Sequence, residues 1–400
     1  MARRLTIAQK ISRENEEMAL LFFEKVLADL PDPRRPQGVR YPLRSVIVIA
    51  LLAMVCGAED AQAMELWGDL NIDWLNGFLD LPHQTPSQDV YLSVFAALNP
   101  AEFSKVFREW ANLLSLQDHF KTNANKQIAI DGKTSRGSID RENNRLAIHT
   151  VSAWLCDAGL VLSQEKTNEK SNEITAIPEL LKTLDISKRT ISIDAMGTQV
   201  DIATLIKEKE GEYLLAVKNN QPTLHHDIQE VFESKTEKIQ FESFSDIDKG
   251  HGRIEERKIE ICRDISLLTT SDKWDGISFF AKVTRIRTIL KDNKTSEEIA
   301  YYIGSDETTS AEIILGQVRK HWSIENNLHW VLDVAFREDQ ARHRAKNTAS
   351  NMATLRHFVL NVLKVDKGRK FGVSNSRKQA GWNMGYLVNL ICNSSVWADA

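Results

Sequence analysis

The chain has no apolar run near the roughly 18 residues that suggest a membrane span. Its longest, residues 46–56, is eleven residues and reads as a buried helix. The four cysteines (Cys56, Cys156, Cys262 and Cys392) lie far apart, and none forms a C-x-x-C pair. That excludes zinc ribbons and dithiol redox motifs and fits a reduced, disulfide-free cytoplasmic chain. The start is basic at Arg3 and Arg4, but Gln9, Lys10, Ser12 and Arg13 follow where a secretory signal needs apolar residues. No internal repeat or low-complexity tract occurs. Positive charge is scarce too. The net charge is −4 and the pI near 6.2, the reverse of the balance expected of a nucleic-acid binder. The basic residues do cluster, at Arg34, Arg35, Arg40 and Arg44 and again at Lys364, Lys367, Arg369 and Lys370. Such clusters are either solvated faces or a local groove able to hold phosphate on an acidic protein.

What is there suits a soluble globular protein. The 400 residues, 42% apolar and 26% charged, are enough for two or three domains. Residues 1–125 read as helical, with helices expected over 14–30, within 43–67 (broken near Cys56-Gly57), over 90–98 and over 101–116. From residue 127 the texture changes to strands: 127–131, 145–156 and 160–167, the last two joined by the turn Asp157-Ala158-Gly159. A helix over 173–184, a strand over 190–194, a helix over 200–210 and a strand over 212–218 follow. The order β-β-β-α-β-α-β is that of a ribonuclease-H-like α/β core, in which the first and fourth strands lie side by side. Residues 221–305 read as a β-rich insertion, with a helix over 222–233 and strands over 253–263, 277–288 and 298–304. Residues 306–364 return to the core with a helix over 310–330, and 365–400 form a tail of mixed texture.

Three carboxylates stand out on this frame. Asp131 ends the apolar run Ile128-Ala129-Ile130, Asp194 ends Ile191-Ser192-Ile193, and Glu325 lies in the helical segment His321-Trp322-Ser323-Ile324-Glu325-Asn326. Two acids at the tips of adjacent strands and a third on a helix can converge on a pair of divalent cations and act on a phosphodiester. Around Glu325, His321 (i−4), His329 (i+4) and Asp333 (i+8) share one helical face. The spacing H-x-x-x-E-x-x-x-H is not the H-E-x-x-H of helix-borne zinc hydrolases, and carboxylate sites favour Mg²⁺ or Mn²⁺.

Several basic and polar residues are candidates for contacting nucleic acid. Lys133 and Arg136 follow Asp131, and Lys218 ends a strand. Arg253 and Arg257 alternate with Glu255 on one strand face, next to His251. Asn326 and His329 flank Glu325. Trp274, in a polar loop, is a candidate to stack on a displaced base. The same residues also fit ordinary roles: a strand-end Asp-Gly turn, a paired-charge exterior, a tryptophan packed on its own domain.

Together the segments resemble the DDE transposases of bacterial insertion sequences, in particular the H-repeat-associated (ISAs-type) group. The resemblance rests on IAIDGKTSRGS (128–138), ISIDAMGTQ (191–199), LAVKNNQPTLH (215–225), HGRIEERK (251–258) and HWSIENNLHWVLDVAFREDQARHR (321–344). The stretch beginning PDPRRPQGVRYPLRS resembles the group's associated helical domain, so the likeness spans roughly residues 20–365. It implies a ribonuclease-H-like catalytic domain and a Mg²⁺-dependent triad, with Mn²⁺ able to substitute. It further implies double-stranded DNA with terminal inverted repeats, a target DNA and action as a homodimer on DNA. Carried onto this chain, the triad is Asp131, Asp194 and Glu325. Related transposases carry Tyr and Arg seven and four positions before the glutamate. Here those positions hold Val318 and His321, which leaves His321 as the candidate for positioning phosphate. The group's PSHDT segment is Pro86-Ser87-Gln88-Asp89-Val90 here. A transposase-derived DNA-binding regulator and a metal-dependent nuclease that cannot join strands are the alternative readings.

Overall fold

The computed structural model describes residues 26–117, 127–140, 146–167, 173–234, 238–250, 252–366, 368 and 370–394. The expected helix over 14–30 falls outside these residues as far as position 25. Helix α1 (Leu43–Val55) is apolar on every side and almost wholly buried, as the residue pattern requires. Next come α2 (Ala61–Leu70), α3 (Ile72–Leu75), α4 (Gln88–Ala97) and α5 (Pro100–Ser115). Side-chain caps fix two of their starts: Asp60 accepts the Ala63 N–H, and Asn99 accepts the Ala101 N–H ahead of a first-turn proline.

One nine-stranded mixed sheet follows. Its strands are β1 (Gln127–Ser135), β2 (Ile148–Leu155), β3 (Leu160–Lys166), β4 (Thr190–Ile193) and β5 (Glu212–Val217), then β6 (Glu242–Gly250), β7 (Arg253–Cys262), β8 (Phe279–Ile289) and β9 (Lys294–Gly304). The spatial order is β3-β2-β1-β4-β5-β9-β8-β7-β6. Strands β1, β2 and β3 are antiparallel neighbours, whereas β1–β4 and β4–β5 pair in parallel. The parallel pairings need crossovers, supplied by α6 (Glu173–Lys182) and α7 (Val200–Glu208). After β5, α8 (Pro222–Ser234) leads into β6–β9. These four strands extend the same sheet, because β9 pairs antiparallel with β5.

The strand β6 was not expected. It is polar and mostly exposed, and it occupies the sheet edge, where no buried face imposes an apolar alternation. The expected helix over 310–330 is a broken one: α9 (Ala311–His321), a π-helical turn (Glu325–His329) and α10 (Trp330–Ala335).

Helix α11 (Thr348–Lys364) ties the halves together and packs on α1, α4, α5 and β3. Two of its buried asparagines are tied to neighbouring backbone. Asn361 exchanges two hydrogen bonds with the Val161 backbone, at 3.0 and 2.8 Å, and Asn351 donates to Phe95 O (2.8 Å) and Leu98 O (3.0 Å). Each such bond is worth about 1 kcal/mol net, and an unmade one costs more. The tail holds α12 (Val373–Trp382) and α13 (Met384–Ser394). Arg377 of α12 is buried and donates to Met54 O and Ala58 O (each 3.0 Å) and to Ala335 O, joining the tail to α1 and α10. Among the described residues no helix is long and apolar enough to cross a membrane.

Candidate active site

The parallel register pairs Ile130 of β1 with Ile193 of β4, so the next residues, Asp131 and Asp194, leave neighbouring strands at one level. There β4 ends, while β1 runs on against β2 alone and opens a notch in the sheet. Asp194 is held by its own turn: Oδ1 accepts the N–H groups of Met196 (3.1 Å) and Gly197 (3.2 Å). Asp131 Oδ1 accepts the Gly132 N–H at 2.9 Å. Glu325 reaches the same cleft from the first residue of the π turn. The cleft is further lined by Lys218, Arg285, His321 and Trp322.

Like charges are crowded in this cleft. Burial, and then the Glu325 carboxylate, push Asp131 up to about 8. Burial also raises Asp194, with Glu173 adding to it. Both acids therefore hold protons more tightly than free carboxylates, the signature of a site short of positive charge. One atom each from Asp131, Glu325 and His329 lie within 4.8 Å of one another, a grouping able to hold a metal ion. The imidazoles are neutral: burial lowers His321 to about 4, and burial followed by Lys133 lowers His329 to about 3. His321 Nδ1 lies 3.0 Å from Ser192 Oγ, whose hydroxyl can donate to it, and Ser192 Oγ accepts from Gln127 Nε2 at 2.8 Å.

The structure corrects several candidate contacts. Lys133 turns inward: its ammonium sits 2.7 Å from Asp333, 3.1 Å from Glu338 and 3.6 Å from Asp339, and is an internal counter-ion instead of a phosphate ligand. Trp274 is 3% exposed and packs in the core, so it offers no face to a displaced base. Arg257 is buried between Glu255 and Asp246. His329 is buried beside Asp131 and is no surface contact. Arg253 is exposed but paired with Glu255 at 2.7 Å, and Arg287 binds the same carboxylate at 3.1 Å. That strand face is thus a paired-charge exterior. Arg136 stands in solvent, Lys218 and His321 line the cleft, and exposed Asn326 donates to Trp322 O at 3.1 Å. His251 lies outside the described residues.

Two features had no expectation. Glu173 heads α6 with its carboxylate 2.8 Å from His149 Nε2, while His149 Nδ1 meets Thr134 Oγ1 at 2.8 Å. A Cβ at position 132 would fall 2.1 Å from Glu173 Oε1, so the glycine after Asp131 makes room for this pair. Nothing in the polar run around Glu173 signals it. The second feature is Arg285, whose guanidinium lies 5.5 Å from the centroid of the half-exposed Trp322 ring. The alternation of Arg285 and Arg287 along the strand expected over 277–288 puts both on one basic face, but nothing in it signals the approach to Trp322.

Comparison with known proteins gives consistent matches. A family model described as "Transposase DDE domain" matches residues 123–362, and one described as "DDE_Tnp_1-associated" matches residues 24–111. The chain is 36% identical to YbfL of Escherichia coli K12 over 372 residues, 92% of this chain and 97% of that one. It is 37% identical to YncI of Escherichia coli O157:H7, provisionally named a transposase, over 92% of this chain and 93% of YncI. It is 36% identical to YhhI of Escherichia coli K12, provisionally named an H repeat-associated transposase, over 92% of this chain and 97% of YhhI. Among solved structures, a piggyBac transposase synaptic complex with hairpin DNA aligns over 94% of this chain and 78% of that one. Its TM-score is 0.40 and its identity 13%, a likeness too weak to bear on fold or activity.

Proposed function

The chain belongs to the H-repeat-associated DDE transposases, and from that premise we propose that it cuts and joins DNA at the ends of its element, with Asp131, Asp194 and Glu325 as the catalytic acids. The observation that carries the reading is the convergence of these three side chains, from β1, β4 and the π turn, in one cleft. The strand order β3-β2-β1-β4-β5 with two helical crossovers supports a ribonuclease-H-like core beneath them. Crowded, proton-holding carboxylates beside a neutral imidazole fit a divalent cation, Mg²⁺ or Mn²⁺. When bound, the cation polarises the phosphoryl oxygen and lowers the pKa of the attacking hydroxyl.

The chain's own residues do the rest. Asp131 and Asp194 are fixed by backbone N–H groups, so their lone pairs need no reorganisation as the reaction proceeds. Lys218 lines the cleft and can hold a phosphate oxygen; exposed Arg136 can follow the backbone further out. His321, neutral and held at Ser192, positions phosphate as a hydrogen-bond donor. In the first step water adds across the phosphodiester at the element end, freeing a 3′ hydroxyl and leaving a 5′ phosphate. In the second that 3′ hydroxyl attacks a target phosphodiester, and the target's own 3′ oxygen leaves. The substrate is double-stranded DNA with terminal inverted repeats, and two copies of the chain act on two ends.

Supercoiled DNA carrying the flanking repeats, incubated with purified protein and Mg²⁺, tests this. Nicks at the repeat ends in wild type and none in Glu325→Gln are expected. Binding without cleavage under any divalent cation would contradict the catalytic assignment. Pre-cut ends joined to a target plasmid separate a transposase from a nuclease.

A further inference from the structure

We infer that His329 supplies a nitrogen ligand to the cation of this site, so that Asp131, Glu325 and His329 form a mixed oxygen–nitrogen set that prefers Mn²⁺ to Mg²⁺. The inference rests on the proposed cation site and adds to it a residue and a selectivity. Its first support is geometry. The three donor atoms lie within 4.8 Å of one another, close to the span of two opposed metal–ligand bonds of about 2.1 Å.

The second support is the state of the histidine. His329 is 7% exposed, so its imidazole is held away from water. Its Nδ1 is 3.5 Å from Asp131 Oδ2, too long for a good hydrogen bond and aimed at the acids. The other imidazoles near the acids are engaged: His149 by Thr134 and Glu173, and His321 by Ser192.

The third support is the backbone. The π turn runs from Glu325 to His329, with the Trp330 N–H bonded to Glu325 O. Single π turns inside α-helices recur at functional sites. Here the turn sets a carboxylate and an imidazole side by side on the face that meets Asp131.

The selectivity follows from ligand chemistry. Mg²⁺ takes oxygen ligands and keeps several waters, whereas imidazole suits the later divalent metals better. Mn²⁺ should therefore bind more tightly than Mg²⁺, and losing the nitrogen should cost Mn²⁺ affinity by at least about tenfold while moving Mg²⁺ much less.

Electron spin-echo spectroscopy of Mn²⁺ bound to the full chain tests this without any reaction. The expected result is a directly coordinated nitrogen coupling that changes when the protein is grown with ¹⁵N-histidine. It should vanish in His329→Gln and His329→Asn and persist in His321→Gln and His149→Gln. Mn²⁺ that needs Asp131 but shows no histidine nitrogen coupling would overturn the inference and leave the acid site standing. The same holds for a coupling that survives in both His329 variants. Mn²⁺ binding unaffected by Asp131→Asn, or no binding at all, would overturn the inference and the cation site together. If the His329 variants fail to fold, the wild-type isotope result and the His321 and His149 variants still decide.

Discussion

Asp131 and Glu338 are both buried carboxylates in neighbouring parts of the molecule, and their proton affinities are shifted in opposite directions. Burial alone raises both. At Glu338 it is outweighed by Arg356, at 3.1 Å, and by Lys133, also at 3.1 Å, so the acid stays charged below its ordinary range. At Asp131 the neighbours are Glu325, Asp194 and Glu173, and the acid is pushed up to about 8. One region has its charges balanced from within the chain; the other leaves the balance to something from outside. The balanced region is scaffold: Lys133 joins β1 to the segment after α10, and Arg356 joins that segment to α11. On the function proposed above, the unbalanced one takes an external cation and a polyanionic substrate.

The largest effect expected from breaking this contrast is chemical. Asp131→Asn should lower end cleavage by at least about 10³-fold while DNA binding, followed by gel shift, persists. A variant that cuts at near wild-type rate would remove Asp131 from the mechanism. Next is the balanced region. Glu338→Gln leaves Lys133 and Arg356 buried with too little negative charge, and should cost about 3–5 kcal/mol in denaturant unfolding. A loss under about 1 kcal/mol would mean that the clamp is incidental.

The third prediction uses the opposite signs. Asp131 has a raised folded-state pKa, so its contribution to stability is complete below the unfolded value of 3.8 and is lost as pH rises to about 8. Asparagine at 131 cannot ionise. In chelator it should therefore be more stable than wild type by about 2 kcal/mol near pH 8, with the gap closing toward pH 4. Glu338 has a lowered pKa, so its contribution is present above 4.5 and is lost as pH falls below that value. Melting midpoints across pH for wild type, Asp131→Asn and Glu338→Gln would display both slopes. The smallest effect is expected at the exposed pair Lys258–Glu260, where Lys258→Ala should move stability by no more than about 0.5 kcal/mol.

The sequence carried the frame of the site because that frame depends on local pattern. The apolar run before Asp194 marks the tip of β4, the run before Asp131 marks the stretch of β1 that pairs with β4 although the strand continues to Ser135, and the β-β-β-α-β order makes the two strands neighbours. Edges and directions were not legible. Strand β6 has no buried face to write an alternation into the sequence. Lys133 and Trp274 sit in polar stretches, and only tertiary packing turns them inward. Helices α12 and α13, rich in Ser, Asn and Gly, owe their place to packing and to the buried Arg377. The π turn follows from no propensity of Glu-Asn-Asn-Leu-His; it shows only once the helix must deliver both Glu325 and His329 to Asp131.

The most direct test of the central claim is the melting midpoint at pH 8 of wild type and Asp131→Asn, in chelator and in saturating Mn²⁺. A cation that supplies the missing charge stabilises the folded state by mass action. Wild type should start below the variant in chelator, rise on adding Mn²⁺ and overtake it, with the variant nearly unmoved. Equal responses from the two proteins, or none from either, would contradict the claim that the acids of this cleft are built around an external cation.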